Sequence, residues 1–305
     1  MALTSNPTPE KVKAKELLTP DFLNRVEQLQ LTARKVLMGK MRGERRSRRH
    51  GSSIEFADHR DYVRGDDIRH IDWNLYSRLD RLFVKLFVEE QELTLHLLLD
   101  TSKSMALGEP NKMIHAKRVA AALGYIGLVN GDRVGVHAMR GGELWTFTPT
   151  RGRARTWALL NFLNDLEGDG DTDLAGACRR FAIQQQTRGI VVLISDLMDP
   201  RGFEDAFKWF LHRNHEVYVI HLLAESEINP KLTGHLDLVD AETGDHAEVT
   251  INRPLLQRYR ELLDQLCTAA RDWCSAHGMT YSVTSTATQF EQLILNHLRR
   301  RGLLR

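Results

Sequence analysis

The sequence has little cysteine, and its cysteines do not form a framework. Cys178, Cys267 and Cys274 are an odd number, with neither a Cys-x-x-Cys pair nor the cysteine–histidine spacing of a metal site. This argues against a disulfide-stapled secreted domain. A reducing compartment is expected, and we predict a cytoplasmic protein.

Long hydrophobic runs are also missing. The longest, VAAALGYIGLV at residues 119–129, is well short of the roughly 20 residues that a membrane-spanning helix needs. The polar opening stretch, MALTSNPTPEKVKAKELLTPDF, contains no apolar signal-peptide core. We therefore predict no membrane span.

Charge of one sign is not in excess. The 305 residues carry a formal net charge of +2, which gives no overall attraction to nucleic acid or membranes. A basic segment at residues 40–49, within GKMRGERRSRRHGSS, would contact phosphates or form a solvated loop. We favour the loop because no aromatic residues are interleaved. Nucleic acid is thus not an expected partner, although the role of this segment stays open.

The sequence does contain a regular alternation of apolar strand-like segments and helical periodicities. Strands are predicted at 94–99, 133–139, 143–148, 189–195, 216–223 and 279–285, and helices at 19–39, 111–130, 154–166, 174–186, 203–213, 254–277 and 288–301. This order predicts an α/β fold, a three-layer, doubly wound, mostly parallel sheet. We assign residues 93–305 to that domain and residues 1–92 to an N-terminal extension.

Two segments depart from the alternation. Only Gly141 and Gly142 separate two predicted strands, which indicates a hairpin and hence an antiparallel strand at the sheet edge. A second hairpin is predicted at 236–251, as an insertion on the rim.

Oxygen-bearing side chains follow several of these strands. Asp100 ends the first strand in LHLLLDTSKSM, and Asp196 ends the fourth in IVVLISDLMDP. If the winding reverses between these strands, both carboxylates face one crevice. The predicted site comprises Asp100, Ser102, Ser104, Thr172 and Asp196. All are hard oxygen donors, so we predict that they bind Mg²⁺ or Mn²⁺. A simpler interpretation of DTSKS alone is a helix cap.

This set resembles the metal-ion-dependent adhesion site of von Willebrand factor A domains. That motif is Asp-x-Ser-x-Ser, then Thr, then Asp, which here corresponds to DTSKS, to Thr172 in GDTDL and to Asp196 in LISD. The resemblance covers roughly residues 93–301. It implies that Ser102, Ser104 and Thr172 bind the ion directly, while Asp100 and Asp196 act largely through water.

A second motif, FADHRDYVRGDDIRHIDW, lies within residues 51–93. It resembles the signature of a bacterial family known as domain of unknown function fifty-eight. The resemblance implies a von Willebrand A-like domain associated with MoxR-type AAA+ ATPases. Many members carry two N-terminal membrane helices, which this sequence lacks.

We therefore predict a non-enzymatic adaptor or co-chaperone. It would bind a MoxR-type ATPase, or a client of that ATPase, through its metal site. The alternative is a metal-dependent phosphatase or nuclease that uses the same pocket. No catalytic residue is assigned, because no general base stands out beside the predicted ion.

The charged block at residues 66–73 allows two interpretations. It is a carboxylate cluster or docking epitope, or it is an ion-paired turn that joins the N-terminal segment to the following domain. We favour the ion-paired turn because Arg60, Arg64 and Arg69 supply counter-charges.

Overall fold

The computed structural model describes residues 17–18, 54–89, 94–186, 188–212, 215–294 and 303–304. They belong to two compact units, one containing residues 54–89 and the other the remaining described residues. The helix predicted at 19–39 and the basic segment at 40–49 lie outside the described residues. The division into residues 1–92 and 93–305 stays a prediction.

The smaller unit is an antiparallel strand pair with a short helix in its connection. Strands β1 (Ile54–Asp61) and β2 (Phe83–Glu89) pair along their lengths, and helix α1 (Trp73–Leu79) lies between them in the chain. Asp72 caps α1 by accepting hydrogen bonds from the amides of Asn74 and Leu75 at 3.0 and 3.1 Å.

Ion pairs hold the charged block of this unit together. Asp66 lies 2.9 Å from Arg60, and Asp67 lies 2.6 Å from Arg69. The hydrogen bond from His59, with help from Lys85, lowers the pKa of Asp72 to about 2. The ion-paired interpretation of this block therefore holds within the smaller unit.

The larger unit is built on a six-stranded sheet. The strands of this sheet are β3 (Thr94–Asp100), β4 (Arg133–Arg140), β5 (Glu143–Arg151), β6 (Ile190–Ser195), β7 (Glu216–Leu223) and β10 (Thr280–Ser285). A separate antiparallel pair is formed by β8 (Gly234–Val239) and β9 (His246–Ile251). The sheet order is β10-β7-β6-β3-β4-β5, parallel except for the antiparallel β4–β5 edge pair. The predicted fold class is confirmed, including its antiparallel edge strand.

Helices cover both faces of this sheet. They are α2 (Lys112–Val129), α3 (Thr156–Asp165), α4 (Leu174–Gln184), α5 (Glu204–Leu211), α6 (Glu225–Ile228), α7 (Arg253–Ala276) and α8 (Phe290–Gln292). Leu98 packs in one cluster with Phe181 of α4, Phe207 of α5 and Cys274 of α7. Leu97, its neighbour along β3, lies instead beside Gly124 of α2. Successive β3 side chains thus enter different layers, which explains why the whole strand is buried.

The strand order places a switch in winding direction beside β3. The chain passes from β3 to β4 on one side, then returns to place β6 on the other side of β3. Loops after β3 and β6 therefore leave the same edge and diverge, opening a crevice between them. The predicted adjacency of the strands that precede Asp100 and Asp196 is confirmed.

Candidate functional site

Asp100 lies at the end of β3 and is held from the neighbouring strand. Leu99 is in register with Ile194 of β6, so the next residue along, Ser195, comes beside Asp100. The Ser195 hydroxyl donates a 2.6 Å hydrogen bond to Asp100 Oδ2, and the Ser102 amide donates to Oδ1 at 3.0 Å. These bonds fix the orientation of a carboxylate that is only 5% exposed.

The turn after Asp100 brings two hydroxyls together. Residues Lys103–Ala106 form a single 3-10 turn with Ser102 as its N-cap, but the Ser102 side chain makes no capping hydrogen bond. Its Oγ instead lies 2.9 Å from Ser104 Oγ. The cap interpretation therefore does not account for the Ser102 hydroxyl.

Thr172 reaches the same edge on a loop that is attached to this turn. The Lys103 amide donates to the Gly170 carbonyl at 2.8 Å, and the Gly170 amide donates to the Thr101 carbonyl at 3.1 Å. A Cβ on Gly170 would lie 2.6 Å from Arg140 Cγ, so this close approach requires glycine. Asp100 and Thr172 line one small pocket, together with Met139, Gly141, Gly142, Asp171, Asp173 and Leu174.

The loop that carries Thr172 is also bonded to Asp199 and Arg201, in the segment that follows β6. Arg201 donates to the Thr172 carbonyl at 3.0 Å and pairs with Asp173 at 2.9 Å. The buried Asp199 accepts the Leu174 amide at 3.0 Å and pairs with the same arginine. The sequence analysis missed Asp199 and Arg201, although the second Asp in SDLMDP was a visible signal.

Asp196 is bonded to a buried lysine. Asp196 is 1% exposed, and its Oδ2 accepts from Lys112 Nζ at 2.8 Å. Lys112 also pairs with Glu227, at the start of α6. Sequence reasoning missed Lys112; the available signal was a lysine at the first position of a helix whose residues 119–129 are entirely apolar.

Thr172 is also bonded to a carboxylate that the sequence analysis did not include. Its amide donates to Glu242 Oε2 at 3.2 Å, and its hydroxyl donates to Glu242 Oε1. The structure thus groups Asp100, Ser102 and Ser104 on one turn, with Thr172 across the pocket. Asp196 lies close enough for its charge to act on Asp100, but its own nearest cation is Lys112.

The charge of Asp196 destabilises the negative charge of the buried Asp100. Burial and, second, the charge of Asp196 raise the pKa of Asp100 to about 6, although hydrogen bonds from Ser195 and Ser102 oppose the rise. Lys112 stays protonated because Asp196 and Glu227 raise its pKa more than burial lowers it. Lys112 pairs with Asp196 and Glu227 but not with Asp100, so a further cation beside Asp100 would be favourable.

The residues present fit a small hard cation. An octahedral Mg²⁺ site has ligands at about 2.0–2.1 Å, so neighbouring ligand oxygens lie about 2.9 Å apart. The Ser102 and Ser104 hydroxyl oxygens are hydrogen-bonded to each other at 2.9 Å, a separation that is compatible with that spacing. Within the described part of the chain, no group of three or more His, Cys, Asp and Glu side chains is arranged to hold a metal. Hydroxyls would have to supply part of the ligand set.

Comparison with known proteins identifies the family. The family model described as protein of unknown function DUF58 matches residues 58–267. The chain belongs to the DUF58 family. The uncharacterized protein Rv1480 of Mycobacterium tuberculosis is similar to it, at 27% identity over 241 residues, which cover 77% of this chain and 76% of the relative.

Solved structures with a related arrangement include several von Willebrand A-type proteins. BatB from Bacteroides thetaiotaomicron is 15% identical, with a TM-score of 0.42 over 68% of this chain and 98% of that one. The SpRpn10 VWA domain is 13% identical, with a TM-score of 0.39 over 68% and 95% of the two chains. These values are low, so the fold assignment is based on the strand order itself.

Over the ranges that the structure describes, none of the helices is both long enough and apolar enough to cross a membrane.

Proposed function

We propose that this chain is a metal-dependent protein-interaction module whose site takes a carboxylate from a partner. The observation that carries the proposal is that Asp100, which begins the turn bearing Ser102 and Ser104, lines one small pocket together with Thr172 at the winding switch. Ligand sites of doubly wound folds lie at that position. The proposed ion is Mg²⁺ or Mn²⁺.

The proposed roles of the residues follow from their surroundings. Ser102, Ser104 and Thr172 would bind the ion through their hydroxyls. Asp100, fixed by Ser195 and Ser102, would orient water on the ion or contact it. Asp196 would contribute mainly its charge, because Lys112 occupies one of its oxygens. When bound, the ion would supply an incompletely neutralised charge with an open position for an acidic ligand.

For the partner, we propose a MoxR-type AAA+ ATPase or a client of that ATPase. The chain would then act as an adaptor or co-chaperone in the cytoplasm. This part of the proposal is supported by the family resemblance, and the three cysteines, all free and buried, are compatible with a reducing compartment.

Replacing Asp100 with asparagine is expected to weaken Mg²⁺ binding roughly 10–100-fold, the usual range when a group supporting a metal site is lost. Asparagine keeps the shape of the side chain but removes the charge that attracts the ion. Isothermal titration calorimetry with Mg²⁺, extended to millimolar concentrations, measures the change. Asp132→Asn is the matched control. Asp132 is a partly buried aspartate just before β4, at the amino ends of the parallel strands, whereas Asp100 lies at their carboxyl ends. Equal Mg²⁺ affinities for both variants would disprove the proposed site.

Partner binding is expected to require the ion. Pull-down of a cognate MoxR-type ATPase should succeed with Mg²⁺, fail in EDTA, and fail with Asp100→Asn but not with Asp132→Asn. Undiminished capture in EDTA would contradict the metal-dependent function. If capture instead depended on Asp66, Asp67 and Asp72, the partner surface would belong to the smaller unit.

A further inference from the structure

The tip of the β8–β9 hairpin contacts the proposed site. The two strands pair in antiparallel register from Gly234↔Ile251 to Val239↔His246, and their side chains are mostly exposed. Glu242, in the turn between them, is partly buried, unlike its exposed neighbours Ala241 and Thr243. Its carboxylate accepts both the amide and the hydroxyl hydrogen of Thr172. The hairpin thus delivers one acidic side chain to the threonine of the candidate site.

The turn holds Glu242 in place by contacts of its own. Asp240 Oδ1 accepts the amides of Glu242 and Thr243, each at 2.8 Å, and the Asp240 amide donates to the Asp245 carbonyl at 2.8 Å. Gly244 adopts a φ of +75°, which closes the turn. Because these bonds are local, the backbone at Glu242 is organised without Thr172. The Glu242 side chain is therefore preorganised for binding, which lowers the entropy cost of its contact with the site.

A single lysine links the hairpin tip to the metal-site turn. Lys103, between the two serines of DTSKS, donates to the Glu242 carbonyl at 3.4 Å and pairs with Asp171 at 3.1 Å. The pocket beside Thr172 is lined by Met139, Gly141, Gly142 and Leu174 and by three aspartates, Asp100, Asp171 and Asp173. Asp171 and Asp173 are paired with Lys103 and Arg201, whereas a cation bound beside Asp100 would attract a further carboxylate. The Glu242 contact is therefore one that a bound metal ion would strengthen.

We propose that Glu242 is a built-in carboxylate ligand that occupies the position taken by a partner's acidic side chain. This inference rests on the proposed function, and it defines the partner as a chain that presents an exposed Asp or Glu able to displace Glu242. If the hairpin leaves the site accessible about a tenth of the time, the apparent partner affinity falls tenfold. A partner segment must therefore present an acidic side chain that binds the site well enough to displace Glu242.

The first test measures the contact without metal or partner. In EDTA, hydrogen exchange of the Thr172 amide should accelerate at least severalfold in Glu242→Ala, because its acceptor is removed. Glu248→Ala is the matched control, since Glu248 is an exposed glutamate on β9 of the same hairpin. Equal exchange in the two variants would overturn the inference.

The second test measures competition. A fluorescent penta-glutamate peptide, with penta-glutamine as reference, is titrated by anisotropy into Mg²⁺-saturated protein. Glu242→Gln and Glu242→Ala should bind the acidic peptide about tenfold more tightly than wild type and Glu248→Gln, and EDTA should abolish the difference. Equal, Mg²⁺-dependent affinities for all variants would overturn the built-in ligand and leave the proposed function intact. Lack of Mg²⁺-dependent binding in every variant would overturn the proposed function, and the displacement mechanism with it.

Discussion

Replacing Lys112 with methionine is expected to lower the free energy of unfolding by about 3–5 kcal/mol. Lys112 is 1% exposed and joins Asp196, 2.8 Å away, to Glu227. Glu227 also accepts the Ala224 amide at 2.7 Å, so its position is fixed by the start of α6. Methionine fills a similar volume but leaves a fully buried carboxylate without its cation. The expected loss arises from that uncompensated charge rather than from a cavity.

Urea unfolding at pH 7.5 in EDTA measures this loss. Lys208→Met is the matched control: Lys208 lies 2.7 Å from Asp205, but both side chains are more than half exposed. Exposed pairs of this kind contribute at most about 1 kcal/mol. The triple variant Lys112→Met, Asp196→Asn, Glu227→Gln should regain part of the stability, because it removes the unpaired charges too. Similar unfolding midpoints for the two lysine variants would show that the buried pair is not important for stability.

The same lysine bears on metal binding. Lys112 neutralises Asp196 and so competes with any cation that uses its charge. Mg²⁺ should therefore stabilise Lys112→Met more than it stabilises wild type, since binding to the native state alone raises stability by mass action. Equal stabilisation of both proteins by Mg²⁺ would show that the charge of Asp196 does not contribute to metal binding.

Acidification from pH 7.5 to 5.5 is expected to destabilise the protein by about 4 kcal/mol. Burial lowers the pKa of four histidines, to about 2 for His96 and about 4 for His115, His137 and His221. For His96 the neighbouring His137 and His215 add to the effect, and its ring nitrogen lies 3.1 Å from that of His137. These rings stay neutral in the folded protein while they take up protons in the unfolded chain below pH 6.5.

The sign follows from proton uptake. A group whose folded pKa is depressed favours folding above its unfolded pKa, and that stability is lost as the pH falls. At pH 5.5 each histidine costs about 1.4 kcal/mol, one pH unit below its unfolded value. Asp100 and Asp132 act in the opposite direction, because burial raises the pKa of each to about 6. Their protonation on acidification returns about 1 kcal/mol each, which leaves the net loss stated above.

Urea unfolding in EDTA at pH 7.5, 6.5 and 5.5 tests this expectation. His96→Phe should reduce the difference between pH 7.5 and 5.5 by about 1.4 kcal/mol, whatever its packing cost at pH 7.5. An equal free energy of unfolding at all three pH values would refute the neutral-histidine interpretation.

Local sequence pattern determines much of this fold. The apolar run that ends at Asp100 predicted a strand buried on both faces, and β3 is buried throughout. The glycine pair at 141–142 predicted the antiparallel edge, which β4 and β5 form. The hairpin at 236–251 was likewise visible from its turn residues, and β8 and β9 pair as expected. These features depend on side-chain period and turn chemistry within a few residues, so the sequence carries them directly. The helix predicted at 288–301 is described only in part, with α8 at Phe290–Gln292.

The sequence also supplied the oxygen donors of the candidate site, but not what those donors contact. The spacing Asp-x-Ser-x-Ser is local, and it places the hydroxyls of Ser102 and Ser104 side by side on one turn. Lys112 and Asp196 are 84 residues apart, and Thr172 and Glu242 are 70 apart. The Lys112–Asp196 pair depends on the strand order and on the start of α2 lying beside the end of β6. The Thr172–Glu242 pair depends on the position to which the β8–β9 hairpin folds back. Such contacts arise from packing among distant segments, which no local pattern encodes. Sequence therefore determined the donors of the site, whereas tertiary structure decided that a buried lysine and a carboxylate from the chain's own hairpin already contact them.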